Sequence, residues 1–278
     1  SDLAKHFVED SLSTAVISNP LSAQFEVLRP SLIPGLIGSL SYNLRRNRQD
    51  VRLFEVATCF KPAGERRTIA FAWTGTTQVH WSEPARTTDF FDMKGVVEHL
   101  CADLTATEIA FTTTTAPFLK RGQAACLRIP DGKDSTKAIG VVGQLAPAVV
   151  VQFDLSETDV IYVAEINLDA LAEIAPDELC VTPLPRHPSI IRDLSIVIPE
   201  TLPASTVRGT IIESAPETLV SIREFDRYVG PGVGAGSVSL SLRLSFRAAD
   251  RTLTDAEVQQ SIDRVVTSLI DKHGVQLR

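Results

Sequence analysis

The sequence predicts an α+β chain of two domains, the second a ferredoxin-like β-α-β-β-α-β unit, and three observations carry that prediction. Pro183, Pro185 and Pro188 crowd three prolines into six residues, and proline fixes φ, lacks an N–H and disfavours helix in the residue before it. We therefore divide the chain into residues 1–182 and 183–278. Downstream, Val238, Leu240, Leu242, Leu244 and Phe246 alternate with Ser239, Ser241, Arg243 and Ser245, the period of a strand buried on one face. Then Thr254 and Glu257 form a T-x-x-E capping box ahead of Val258, Ile262, Val265, Val266, Leu269 and Ile270, and Gly274 offers a left-handed stop.

In residues 1–182, Leu32, Ile33, Leu36, Ile37, Leu40 and Leu44 recur at helical spacing, and Asn47 ends that helix before a strand over 51–60. Further strands are expected over 68–74, 124–129, 138–144 and 160–166, with the threonines at 112–115 a polar strand or loop. Asp89 is placed to cap a helix carrying Val96, Val97 and Leu100. In residues 183–278 a strand over 192–198 leads to a helix over 203–215 with Val207, Ile211 and Ile212 on one face. Strands over 219–228 and 238–246 flank a glycine-rich loop at 230–236, and the capped helix runs into a closing strand at 275–277. Both helices then cover one sheet face and leave the other free.

The 278 residues are 44% apolar, enough for a core in each of two domains. With 22% charged residues, disorder, collagen-like repeats and coiled coil are disfavoured. Cys59, Cys101, Cys126 and Cys180 form no C-x-x-C pair and have no histidine at zinc-ligand spacing. They read as buried thiols of a reducing compartment. No apolar run has membrane-spanning length and no leader opens the chain, so the expected location is the cytoplasm, without membrane contact. Residues 183–278 hold 11 basic and 11 acidic residues, which leaves the whole net charge of −7 to residues 1–182. Any RNA contact must then rest on local geometry and base recognition, not on a basic surface, and DNA is not an expected partner.

No constellation points to catalysis or to a metal. His6, His80, His99, His187 and His273 are scattered, none beside a nucleophile motif. The glycines of 230–236 lie between two strands and not before a helix, so they read as a hairpin loop instead of a phosphate cradle.

An ordered set of motifs covers nearly the whole chain. N-P-L-S at 19–22, V-L-R-P-S-L-I-P-G-L at 27–36, V-R-L-F-E-V at 51–56 and D-F-F-D-M-K-G at 89–95 resemble the synthetase-like module of bacterial phenylalanyl-tRNA synthetase β subunits. P-R-H-P at 185–188, R-D-L at 192–194, F-D-R-Y at 225–228, S-L-S-L-R-L at 239–244 and R-T-L-T-D at 251–255 resemble that family's ferredoxin-fold anticodon-binding domain. Two departures stand out: K-R-G-Q-A at 120–124 where the family usually has H-P-G-R-S, and Val238 where lysine is common.

The resemblance implies that residues 1–182 form a class II synthetase-like antiparallel-sheet module that is catalytically silent. Adenylate chemistry needs cations on the ATP phosphates, and the family's glycine-rich strand-helix motif ending in arginine does not occur between residues 1 and 182. Arg52 and Glu55 stand where another class motif has Arg and Glu, and on an alternating strand they read as solvent or interface residues. By resemblance the chemistry, ATP-dependent attachment of phenylalanine to its tRNA, belongs to a separate phenylalanyl-tRNA synthetase α subunit. ATP and Mg are cofactors of the assembled α2β2 heterotetramer and not of this piece. The region of the helix over 32–44 is the expected α-subunit contact. Ser1-Asp2-Leu3 reads as the start of a truncated piece.

For the second domain the resemblance implies binding of the anticodon region of the tRNA for phenylalanine. Its contacts map onto Asp226, Tyr228 and Ser239, with Arg278 a weaker candidate, and Arg192 and Arg243 are possible phosphate contacts. Spacing i, i+2 puts Asp226 and Tyr228 on one strand face, a carboxylate beside a ring on which a base can stack. Two other readings stay open: Tyr228 packs the strand edge while Asp226 caps the hairpin, or the domain is a regulatory small-molecule-binding module, as other ferredoxin-like domains are.

Overall fold

The computed structural model describes residues 7, 15–21, 26–61, 64–77, 81–82, 84–105, 109–130, 135–174 and 184–278. They fall into two compact units, Ser1–Cys180 and Val181–Arg278. The cut expected between residues 182 and 183, and Cys180, lie outside the described residues. Among the described residues no helix is long and apolar enough to cross a membrane.

The first unit opens on α1 (Ile33–Leu44), started by Pro34 in its first turn and followed by Asn47 at φ 61. Strands β1 (Val51–Lys61) and β2 (Gly64–Thr74) pair antiparallel along their whole length. Next comes α2 (Phe90–Thr105), capped as expected: Asp89 Oδ1 accepts the backbone N–H of Phe91 at 2.8 Å and of Asp92 at 3.1 Å. The remaining elements are β3 (Ala110–Thr113), β4 (Leu119–Pro130), β5 (Thr136–Leu145), α3 (Pro147–Gln152), β6 (Ile161–Asn167) and α4 (Leu168–Ala172). The strands form one antiparallel sheet in the order β1-β2-β6-β5-β4-β3.

Each face of that sheet carries a core. On one, Ile33, Ile37 and Leu40 of α1 pack with Ala70, Ala72, Val150 and Val163. On the other, Met93, Val97 and Cys101 of α2 pack with Leu127, Val142 and Ile166. Two expectations change here. The stripe of α1 is spent inside its own unit, with Leu32, Ile33, Leu36, Ile37 and Leu40 at most 5% exposed, so these side chains are not offered at the surface. The buried stripe of α2 is Met93-Val97-Cys101, and Val96 lies 36% exposed beside it, because the helix turns residues three and four apart onto one face.

The second unit runs β7 (Ile190–Pro199), α5 (Ala204–Ser214), β8 (Leu219–Tyr228), β9 (Ser237–Phe246), α6 (Asp255–His273) and β10 (Gln276–Leu277). The sheet order is β10-β7-β9-β8, all antiparallel, the ferredoxin-like arrangement. Both halves of the capping box form at Thr254 and Glu257, and Gly274 adopts φ 62. Val207 and Ile211 of α5 and Val258, Val265 and Leu269 of α6 pack on Ile196, Leu240, Leu242, Leu244 and Phe246. Ile212, expected on the core face of α5, is 58% exposed, and Thr210 is buried in its stead. The Thr210 hydroxyl meets Nε2 of His273 on α6 at 2.8 Å, so the helix–helix seam and not the sheet selects that side of α5.

Candidate nucleic-acid interface

The alternation on β9 orients the site. Leu242 and Leu244 point into the helix-covered core, so their neighbours Ser239, Ser241 and Arg243 belong to the opposite face. Asp226 pairs with Ser241 and Tyr228 with Ser239, which places both on that face. There the Arg278 guanidinium lies over the Tyr228 ring, 4.9 Å from its centroid, in the range of a cation–π contact. Arg278 is fixed by its backbone, whose N–H donates to the Ser195 carbonyl at 3.0 Å. On its other side the Tyr228 hydroxyl donates to the Pro231 carbonyl at 3.3 Å. A Cβ on Gly230 would come 2.6 Å from that hydroxyl, so the glycine lets the loop fold against the ring.

Ser239, expected as an open donor or acceptor, is only 2% exposed. It sits on the inner strand between Tyr228 on β8 and Val197 on β7, while Arg278 and Tyr228 meet from the outer strands on either side. Ser241 and Ser195 share a hydrogen bond of 2.9 Å beside it.

The two arginines named for phosphate lie on different faces. Arg243 belongs to the open face, where it grips Asp193 through two bonds of 2.8 and 2.7 Å. This grip holds the Asp193 carboxyl below its ordinary range and raises the Arg243 guanidinium. Arg192 pairs in register with Leu244, on the helix side, and donates to Asp255 at the start of α6 at 2.5 Å. It is separated from Tyr228 by the sheet.

In the first unit Arg52 and Glu55 are both engaged within the fold. Arg52 lies 4.5 Å from the Trp73 ring centroid and donates to the Thr76 carbonyl at 3.1 Å. Glu55 accepts from Arg29 at 2.9 Å. Beside Arg52 a cavity of about 230 Å³ is lined by Leu53, Phe54, Phe71, Trp73, Met93 and Val96. Among the described residues no group of three or more His, Cys, Asp or Glu is placed to hold a metal ion. One guanidinium already stacked on a ring, in an otherwise apolar lining, does not fit a nucleotide triphosphate with its metal. Among the exposed apolar side chains of this unit are two on edge strand β1, Phe54 at 69% and Val56 at 51%. Both stand in the V-R-L-F-E-V motif of 51–56, and their alternation with Leu53, Glu55 and Ala57 is the signal that puts them on one strand face with Arg52.

Residues 1–168 match the family model described as the phenylalanyl tRNA synthetase beta chain CLM domain, and residues 185–278 match the ferredoxin-fold anticodon binding domain. The chain is 35% identical over 271 residues to the phenylalanine–tRNA ligase β subunit of Moorella thermoacetica, covering 95% of this chain and 33% of that one. It is 34% identical to that of Listeria monocytogenes (93% and 32% covered) and 34% identical to that of Coxiella burnetii (98% and 35% covered). The chain thus spans about a third of the length of the curated relatives it matches.

Proposed function

Because this chain belongs to the phenylalanyl-tRNA synthetase β chain family, we propose that it is a non-catalytic part of that ligase, reading the anticodon region of the tRNA for phenylalanine. The observation that carries this reading is the placement of Tyr228 and Asp226, both exposed, on the face of a ferredoxin-like sheet that its helices leave uncovered. Unpaired loop bases are bound by stacking on rings and by hydrogen bonds to their exposed edges. Tyr228 supplies the ring. The Asp226 carboxylate accepts base amino protons, and Arg278 adds a guanidinium plane beside the ring. Ser239 joins the contact only if Arg278 and Tyr228 part, since it is buried between their strands. Arg243 is not free to clamp a phosphate, because Asp193 already holds its fork.

In this reading the first unit is an assembly module. ATP and Mg belong to the assembled cytoplasmic enzyme, an α2β2 heterotetramer, and not to this chain, which is supported by the engagement of Arg52 with Trp73 and of Glu55 with Arg29. The α-subunit contact moves from α1 to the β1 edge around Phe54 and Val56. Among the described residues no strand pairs with this edge around Phe54 and Val56, although Arg29 bonds to it at Thr58 and Phe60, and an unpaired edge with outward apolar residues is a surface that proteins ordinarily cover.

The test is binding of the full chain to the tRNA for phenylalanine and to the same tRNA with changed anticodon bases, at fixed moderate salt. Preference for the native anticodon is the expected result. Equal binding to both would reject base readout, and stabilisation by a free amino acid without RNA would favour the metabolite-binding alternative.

A further inference from the structure

A second aromatic ring is exposed on the open face of the ferredoxin-like sheet, and the reading above does not use it. The register of β8 against β9 skips one residue between Glu224 and Asp226. Phe225 is therefore the extra residue of a bulge, a device that re-aims a side chain, and it is 49% exposed. The Arg243 guanidinium lies 5.2 Å from its ring centroid. Because Asp193 grips the same guanidinium with two bonds, ring and cation are held in place before any ligand arrives. Arg223 stands directly opposite Arg243 in the register, on the same face.

This cluster continues the row that begins at Tyr228. Tyr228 pairs with Ser239, and Phe225 bulges out between the residues paired with Ser241 and Leu242, so two to three residues of β9, about 8 Å at roughly 3.3 Å per residue, separate the backbone positions of the two rings. Between them lie Ser241 and Ser195, small residues joined to each other at 2.9 Å. The strand residues of this face bear Arg223, Arg243 and Arg278 against Asp193 and Asp226, a net positive charge on a domain whose sequence nets zero.

The geometry points to a second stacking platform, Phe225 backed by Arg243, that takes one further unpaired nucleobase of the same RNA, with Arg223 at its phosphate. It rests on the reading that Tyr228 stacks an anticodon base. Backbone positions about 8 Å apart exceed the ~3.4 Å rise of neighbouring stacked bases, so the strand runs splayed between the two rings, as loop bases do. A ring flanked by guanidinium suits a nucleobase because every base offers a π-face and the cation adds to it.

The experiment uses the full chain and a hairpin RNA with the anticodon stem-loop sequence of the tRNA for phenylalanine, plus a set in which each loop base in turn is replaced by an abasic site. Affinities are measured by fluorescence anisotropy for the parent protein, Phe225→Ala, Phe225→Trp and Tyr228→Ala, with folding of each checked by circular dichroism. Phe225→Ala should weaken binding of the intact hairpin about tenfold, from the usual worth of one stacked base, and Phe225→Trp should restore it. One abasic RNA should bind Phe225→Ala and the parent alike, at a loop position other than the one that silences Tyr228→Ala. If Phe225→Ala binds within about twofold of the parent while Tyr228→Ala is weakened, the second platform is wrong and the Tyr228 reading stands. Weakening by Phe225→Ala that is the same on every abasic RNA reports a change of fold and also overturns the platform. If the parent does not bind the hairpin, both readings fall.

Discussion

Tyr228 lies on one outer strand of a four-stranded sheet and Arg278 directly follows the other, yet the guanidinium of one sits 4.9 Å from the ring centroid of the other, bridging both inner strands. The ring is thus presented with one side engaged by a cation and its hydroxyl tied to Pro231. Stacking is worth roughly 1–3 kcal/mol per base. Tyr228→Ala should weaken binding of the tRNA for phenylalanine by about tenfold to a hundredfold, while Tyr228→Phe should stay close to the parent, since it keeps the ring. Equilibrium titration at one salt concentration checks this, and unchanged affinity of the alanine variant would remove Tyr228 from the interface.

Phe54 is the exposed aromatic of edge strand β1, with Phe71 at 6.4 Å between ring centroids on the neighbouring strand. Buried aromatic anchors of an interface cost about 2 kcal/mol or more on truncation. Phe54→Ser should reduce co-elution with a phenylalanyl-tRNA synthetase α subunit and leave the fold intact. Leu36→Ser, inside the core, should unfold the unit. Undiminished co-elution of a folded Phe54→Ser chain would move the contact elsewhere.

Glu165 is partly buried within the first unit, where its Oε1 accepts from Ser31 Oγ at 2.9 Å and from the Leu32 N–H at 2.7 Å. Burial is the largest influence and raises its carboxyl above the ordinary 4.5, against the opposing pull of those two hydrogen bonds. A raised folded value means that the unfolded chain gives up the proton first. The contribution of Glu165 to stability is therefore greatest below about 4.5 and falls as pH climbs from there through the folded value. Glu165→Gln should flatten this slope while still accepting both bonds. Glu165→Ala should cost about 1–3 kcal/mol by leaving the Leu32 N–H and Ser31 hydroxyl unpaired. Urea unfolding across pH measures both, and an unaltered slope in Glu165→Gln would show that another group sets it.

Glu257 has the opposite sign. Arg251 first, then the Thr254 N–H and hydroxyl, lower its carboxyl to about 2. Its contribution to α6 is present above the ordinary 4.5 and is lost as pH falls toward about 2. Glu257→Gln should lower the melting temperature at neutral pH and match the parent near pH 2. A gap that persisted in acid would mean that packing and not charge is at work.

The second unit was legible in order and nearly in bounds because its signals are short-range. Alternation at Val238, Leu240, Leu242, Leu244 and Phe246 needs only the pleat of one strand, and Thr254, Glu257 and Gly274 act on backbone groups within a turn. In the first unit the same logic found α1 and the cap at Asp89, but not α3 or α4, which have only 6 and 5 residues, too short to show a period. Asp226 and Tyr228 were found together because i, i+2 spacing survives the bulge that precedes them.

What the sequence by itself determined is therefore local: the strand and helix order of the second unit, the caps, and the family to which the motifs belong. The tertiary structure alone decided that Ser239 is closed over, that Arg192 and Arg243 face opposite ways, that Phe225 is bulged outward, and that the stripe of α1 is used up in its own core. Each of these depends on which strands become neighbours and in what register. Those choices are made by pairing between residues far apart in the chain, so no local period or spacing can carry them.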